Sequence, residues 1–176
     1  MTVDPIALER AGYPPIGPDL GEVAISPKAR ATIQLHAERS YPEEACGFLV
    51  GPAPGGTENP RQIDEAIPSE NERDGNRTHR FLIPYQEVVR IERLLAWGGK
   101  AILGYYHSHP DHLAAPSAYD RDHAWPWYVY VVASVEQGHM TELNAYELDP
   151  EGGMFHSLSQ EEGTASHSTH QGAARP

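Results

Sequence analysis

The stretch WYVYVVASV, residues 127–135, constrains this chain more than any other. Its β-branched and aromatic side chains suit a pleated, half-buried surface, and the run reads as a strand. Gln137-Gly138 then makes a turn, and TELNAYEL (141–148) alternates like a strand paired to the first. The rest of the chain has to be arranged around the sheet that this hairpin begins.

EVAIS (22–26) is a short strand candidate. Ser26-Pro27 opens a helix running to about Arg39, with proline tolerated at its first position and Ala29, Ile33 and Ala37 on one face. The apolar run 45–50 within EEACGFLVG is a buried strand, and RQIDEAIP (61–68) is a weaker one. Val88, Ile91, Leu94 and Leu95 fall three or four apart, which predicts a helix over 85–97 that Gly98-Gly99 stops. AILGYYHSH (101–109) is a strand, and Ser117 to about Ala124 is a short helix. The order of strands and helices is that of an α/β or α+β domain built on one mixed sheet.

A length of 176 residues, with 39% hydrophobic and 22% charged content, suits one globular domain that buries its own core. We divide it into an irregular, Pro- and Gly-rich lead-in (1–21), a domain (22–148), and a polar tail (149–176) expected to be disordered. A cut near residue 158 is therefore expected to be tolerated. One cysteine excludes an internal disulfide, and no basic and apolar leader opens the sequence, so a cytoplasmic location is expected. A net charge of −12 argues against nucleic acid as a partner, and no run of apolar residues is long enough to span a membrane. The sequence is silent on oligomeric state.

The chemistry is concentrated in GYYHSHPDHLAAPSAYD, residues 104–120. Residues two apart on a strand face the same way, so His107 and His109 can both reach one ion. The strand stops at Pro110, at a sheet end. Ser117 and Asp120 are three apart on the following helix and share its face. A helix folded back on the strand end would let Asp120 complete a two-histidine, one-carboxylate set with a position left for water, as in catalytic zinc sites. Each half has a plainer reading: H-x-H is common, and Ser117-x-x-Asp120 matches a helix capping pattern.

The two halves together, H-S-H, seven residues, S, two residues, D, resemble the signature of the JAMM (MPN-plus) metalloproteases, with Pro116 in the family's usual place. The family's upstream glutamate at the start of a buried strand is matched by Glu44-Ala45-Cys46-Gly47. The resemblance covers about residues 22–148 and implies a single MPN-like domain, a mixed sheet flanked by helices with zinc at a strand end. It implies His107, His109 and Asp120 as ligands of one zinc ion, Glu44 as general base, and Ser117 as a donor to the tetrahedral intermediate. Zinc lowers the pKa of bound water and polarises a carbonyl, a carboxylate moves the proton, and a hydroxyl meets the developing oxyanion. The compact chain is similar to the stand-alone prokaryotic branch, associated with small ubiquitin-like sulfur-carrier proteins ending in Gly-Gly. A non-catalytic MPN scaffold and a metal amidase acting on a non-protein substrate are the alternatives.

Other residues invite weaker readings. Glu43 is an exposed acid beside the base. Cys46 lies in an apolar run and reads as a small core residue rather than a nucleophile. Asp111 and His112 fall in the spacer as rim residues, and His123 as a helix-surface histidine. Trp125 and Trp127 are expected in the core. Arg73, Arg77 and Arg80 form a basic loop that could meet an acidic partner.

Overall fold

A computed structural model describes residues 12–19, 21–53, 61–75, 77–151 and 153–162. Among the described residues nine strands form one sheet: β1 (Ile16–Gly17), β2 (Glu22–Ile25), β3 (Cys46–Pro52), β4 (Arg61–Ile63), β5 (Glu65–Ser69), β6 (Lys100–Pro110), β7 (Val129–Glu136), β8 (His139–Leu148) and β9 (Phe155–Glu162). The helices are α1 (Pro27–Ser40), α2 (Tyr85–Leu95) and α3 (Ala118–His123). The spatial order is β4-β2-β9-β8-β7-β6-β3-β5, with β1 beside β9. β6 runs parallel to β7 and β2 runs parallel to both β4 and β9, so the sheet is mixed and the class is α+β, as expected.

Although β4 and β5 stand at opposite ends of that order, only Asp64 separates them in sequence. The sheet therefore curls back on itself. The segment 61–68, expected as one strand, is two strands with different neighbours. β4 pairs with β2 and β5 with β3, and the Asp64 N–H donates to the Val50 carbonyl at 2.9 Å where they part.

Helix α1 fills the curl. Ser26 caps it by accepting from the Ala29 N–H at 3.1 Å, and Pro27 occupies the first turn, where its missing N–H costs nothing. Ala29 and Ile33 pack with Ile25, Leu49, Tyr106, Val131 and Leu158 in the main core. On the outer face α2 lies against β3 and β6, where Ile91 packs with Phe48 and Val50. Its buried stripe is Val88, Ile91 and Leu95; Leu94, expected on the same face, is mostly exposed because it sits about 100° away from Leu95 around the helix.

Two further expectations fail. Phe155 to Glu162, placed in a disordered tail, is β9, an inner strand paired to β8 on one side and β2 on the other. Its polar composition hid two anchors, one on each face: Phe155 packs with Tyr146 outside, Leu158 with the α1 core inside. A cut after residue 158 would remove every residue of β9 that pairs with β2, Ser159 to Glu162. Residues 163–176 lie outside the described residues, as do residues 1–11 of the lead-in, whose later part contributes β1. The other failure is Trp125 and Trp127, which are 71% and 75% exposed rather than packed in the core. Among the described residues no helix is long and apolar enough to cross a membrane.

Candidate metal centre

The last turn of chain in β6 carries the site because the strand's alternation sends Tyr106 and Ser108 to one face and His107 and His109 to the other. Tyr106 is fully buried and its hydroxyl meets His36 Nδ1 of α1 at 2.8 Å. Ser108 also works on that side. Its Oγ accepts from the Ala45 N–H at 2.9 Å and its N–H donates to the Ala45 carbonyl at 3.0 Å. This double tie clamps the residue next to Glu44 to the strand that bears the histidines.

His107 and His109 are both buried, with Nε2 atoms 3.0 Å apart. The chain turns after Pro110 and returns through α3, bringing Asp120 Oδ1 to 3.5 Å from His107 Nε2 and Oδ2 to 3.6 Å from His109 Nε2. Ligand atoms around one tetrahedral zinc stand roughly 3.3–3.4 Å apart when each is about 2.0–2.1 Å from the ion. The spacings lie near that value, the two aspartate distances running to different carboxylate oxygens, and one donor atom from each residue lies within 4.8 Å of the others, so the three residues can share a single ion. His109 Nδ1 lies 2.9 Å from the Leu113 carbonyl, which requires the proton on Nδ1 and leaves the Nε2 lone pair facing the centre. His107 is stacked by Phe81, with ring centroids 4.8 Å apart and 27° between planes. Burial works against the charge of Asp120, yet His107 and His109 together hold its carboxyl far below the usual carboxylate range.

Ser117 takes the plainer reading as well as the sequence motif's place. Its N–H and Oγ both donate to Asp120 Oδ2, at 2.7 and 2.6 Å, while the Asp120 N–H donates to Ser117 Oγ at 3.2 Å. This is a capping box, and it orients the Asp120 carboxylate as it starts the helix.

Glu44 is 5% exposed. Burial pushes its carboxyl up to about 8; His109 opposes the shift and the charge of Asp120 adds to it, so Glu44 lies within electrostatic reach of both. Its N–H donates to the Arg77 carbonyl at 2.8 Å and its carbonyl accepts from Asn71 Nδ2 at 3.2 Å. With His36, Arg39, Glu43, Asn71 and Arg77 it lines a cleft of about 540 Å³. Neighbouring Glu43 faces Arg77 at 4.0 Å. The Cys46 thiol is buried, which pushes it up to about 12, so it is a neutral core group.

The basic loop divides. Arg77 turns to Glu43, whereas Arg80 lies over the Tyr119 ring at 4.7 Å and Arg73 bonds the Tyr119 hydroxyl at 3.2 Å. His112 contacts His79, Asp111 is bonded by Tyr41 and the Gln137 N–H, and His123 stacks on Tyr119. None of these three joins the ligand set; among the described residues the ligand-type cluster is His107, His109 and Asp120. Tyr13 of the lead-in is hydrogen-bonded to the backbone of Leu113, and its pKa is raised by burial and further by Asp120 and Glu44. Sequence reading passed over Ser108, Asn71, Phe81 and Tyr13. Only Ser108 was signalled, by its place between the two histidines.

Fold and site together define a domain of the JAB/MPN class. The chain belongs to the prokaryotic homologs of the JAB domain, whose family profile matches residues 26–149. It is 35% identical over 124 residues to a desampylase from Haloferax volcanii, covering 68% of this chain and 84% of that protein. It is 32% identical over 114 residues to the CysO-cysteine peptidase of Mycobacterium tuberculosis, covering 64% of this chain and 73% of that one. A solution structure of a protein from Desulfitobacterium hafniense shares the fold with a TM-score of 0.70 at 24% identity, over 85% of this chain and 99% of the other.

Proposed function

We propose that this protein is a zinc-dependent peptidase or isopeptidase. On this reading it hydrolyses the amide bond following the C-terminal Gly-Gly of a small ubiquitin-like or sulfur-carrier protein. The observation that carries the reading is the convergence of His107, His109 and Asp120, at spacings suited to one tetrahedral ion, beside a buried glutamate. The names of the relatives, a desampylase and a CysO-cysteine peptidase, support the reaction class. A reducing compartment, the cytoplasm, suits the single buried thiol.

His107, His109 and Asp120 would hold the ion, which when bound would lower the pKa of a water towards neutrality and polarise the scissile carbonyl. The Leu113 carbonyl keeps His109 in the tautomer that binds through Nε2. Glu44 accepts the proton of the attacking water at its carboxylate and delivers it to the leaving amine. Ser117 holds Asp120 through Oγ, and turning that hydroxyl toward the substrate supplies a donor to the oxyanion. Glycines before the scissile bond let the substrate backbone approach closely.

The test compares three substrates by mass spectrometry. These are a sulfur-carrier protein extended beyond Gly-Gly, the same protein with Ala-Ala, and an unstructured peptide with the same tail. Cleavage of the first, little of the second and slow cleavage of the third is expected. Equal cleavage of all three marks a general peptidase. Cleavage of none overturns the proposal in favour of a scaffold or a non-protein amidase.

A further inference from the structure

Glu44 stands just before β3 and Asn71 just after β5. Those strands are antiparallel with Cys46 opposite Ser69 as the last pair, and the same register two residues on sets Asn71 opposite Glu44. The backbone ladder has ended there, and the Asn71 side chain takes its place. Nδ2 donates to the Glu44 carbonyl at 3.2 Å and to the Arg80 carbonyl at 3.1 Å. Oδ1 accepts from the Arg73 and Leu82 N–H groups, both at 3.1 Å. A primary amide has two donors and two acceptor lone pairs, and all four are used. With two carbonyls on one side and two N–H groups on the other, the amide fits in one orientation only.

These four bonds close the loop from 71 to 82, which the Glu72 N–H to Leu82 carbonyl bond (3.1 Å) also ties. The loop carries Phe81, stacked on the ligand His107, and Arg80, lying over Tyr119 next to the ligand Asp120. The same loop holds the Glu44 N–H through Arg77. Asn71 therefore joins the backbone of the buried acid to the wall over the metal ligands.

We infer that Asn71 is a positioning residue: it fixes the distance between Glu44 and the centre formed by His107, His109 and Asp120. Ordinary loop closure would need bonds within the loop alone. The Glu44 bond leaves the loop and reaches the one acid in the cleft that the reaction requires. The catalytic half of this inference rests on the peptidase reading above; the structural half does not.

Two variants separate the bonds. Asn71→Asp keeps an acceptor for Arg73 and Leu82 but sets an oxygen against the Glu44 and Arg80 carbonyls, whereas Asn71→Ala loses all four bonds. A displacement on the order of 1 Å costs up to about 100-fold in rate, so kcat and kcat/KM of Asn71→Asp should fall together by roughly 10- to 100-fold. Zinc content should be retained. In a Glu44→Gln background the same change should cost almost nothing further, because the group being positioned is gone. Leu158→Ala, a core change remote from the loop chosen for a comparable loss of Tm, should leave kcat near wild type. Equal losses from Asn71→Asp in both backgrounds, or an equal loss in Leu158→Ala, overturn the positioning role. Amide hydrogen exchange needs no substrate. In Asn71→Ala, exchange at Glu44 and Leu82 should quicken by about tenfold or more while Phe48 in β3 stays protected. Unchanged exchange at Glu44 overturns the proposal even if the protein is an active peptidase. Quickened exchange in a protein that cleaves none of the three substrates upholds the hold on Glu44 and rejects the peptidase reading instead.

Discussion

Strands β6 and β9 make an instructive pair. Both contribute buried backbone to the same sheet, and both contain histidine beside serine: His107-Ser108-His109 in β6, His156-Ser157 in β9. In β6 the polar residues are buried at the strand's end and answered by an aspartate from another element. In β9 His156 Nδ1 lies 3.0 Å from the Pro18 carbonyl, and the strand's hold on the fold comes from Phe155, Leu158 and backbone ladders to β1, β2 and β8. The same residue types belong to a candidate metal centre in one strand and make an ordinary backbone contact in the other. Burial and a converging carboxylate make the difference.

Changes in β9 should therefore damage the fold, and changes around β6 the chemistry. The largest expected effect is truncation after residue 158, which strips β2 of its β9 partner and removes the Gln160 side chain that bonds Arg30 and the Leu143 carbonyl. Circular dichroism should show a large fall in Tm or no cooperative transition. An unchanged Tm would remove the structural role assigned here to β9. On the β6 side, Glu44→Gln should keep the fold and zinc while turnover falls by about 10²–10⁴-fold, since an amide cannot take the proton. Turnover near wild type would deny Glu44 its role. Ser117→Ala should cost about 10²–10³-fold if the hydroxyl serves the oxyanion. If its only task is the capping box, the loss would instead be about 1 kcal/mol of stability with kcat intact.

The legibility of the two strands differed for the same physical reason. The β6 constellation could be read because metal chemistry fixes residue types and spacings along the chain, down to the helix that returns Asp120. β9 could not, because its two apolar anchors face opposite ways, and an inner strand needs mainly backbone partners that composition does not encode. The split at Asp64 was hidden likewise: strand period is continuous across 61–68, and only the curl of the sheet gives its halves different neighbours. Trp125 and Trp127 show the limit of composition in the opposite direction, as large apolar side chains left on the surface. Asn71 was invisible because, apart from Arg73 two residues on, its partners lie 27, 9 and 11 residues away with no periodic signature.

A smaller effect separates the buried acid from its chemistry. Burial raises the Glu44 carboxyl from an ordinary 4.5 to about 8, so the folded chain binds that proton more tightly than the unfolded chain does. Stability from this group is complete below the ordinary value and is lost as pH rises through about 8. In metal-free protein, Glu44→Gln should thus raise Tm relative to wild type at alkaline pH and leave it unchanged in acid. A Tm difference of equal size at both ends would indicate packing rather than charge. Smallest is Cys46→Ser, which should lower Tm by a few degrees through a polar group placed in the core, with kcat intact. Loss of catalysis in a folded, zinc-loaded Cys46→Ser variant would revive a thiol mechanism.

The central claim is that the end of β6 and the start of α3 form one metal centre. Elemental analysis of purified protein tests it most directly. Close to one zinc per chain is expected in the wild type, with most of it lost in His109→Ala and in Asp120→Ala while both variants keep their circular dichroism spectra. Full zinc occupancy in both variants would contradict the account and move the metal to other residues.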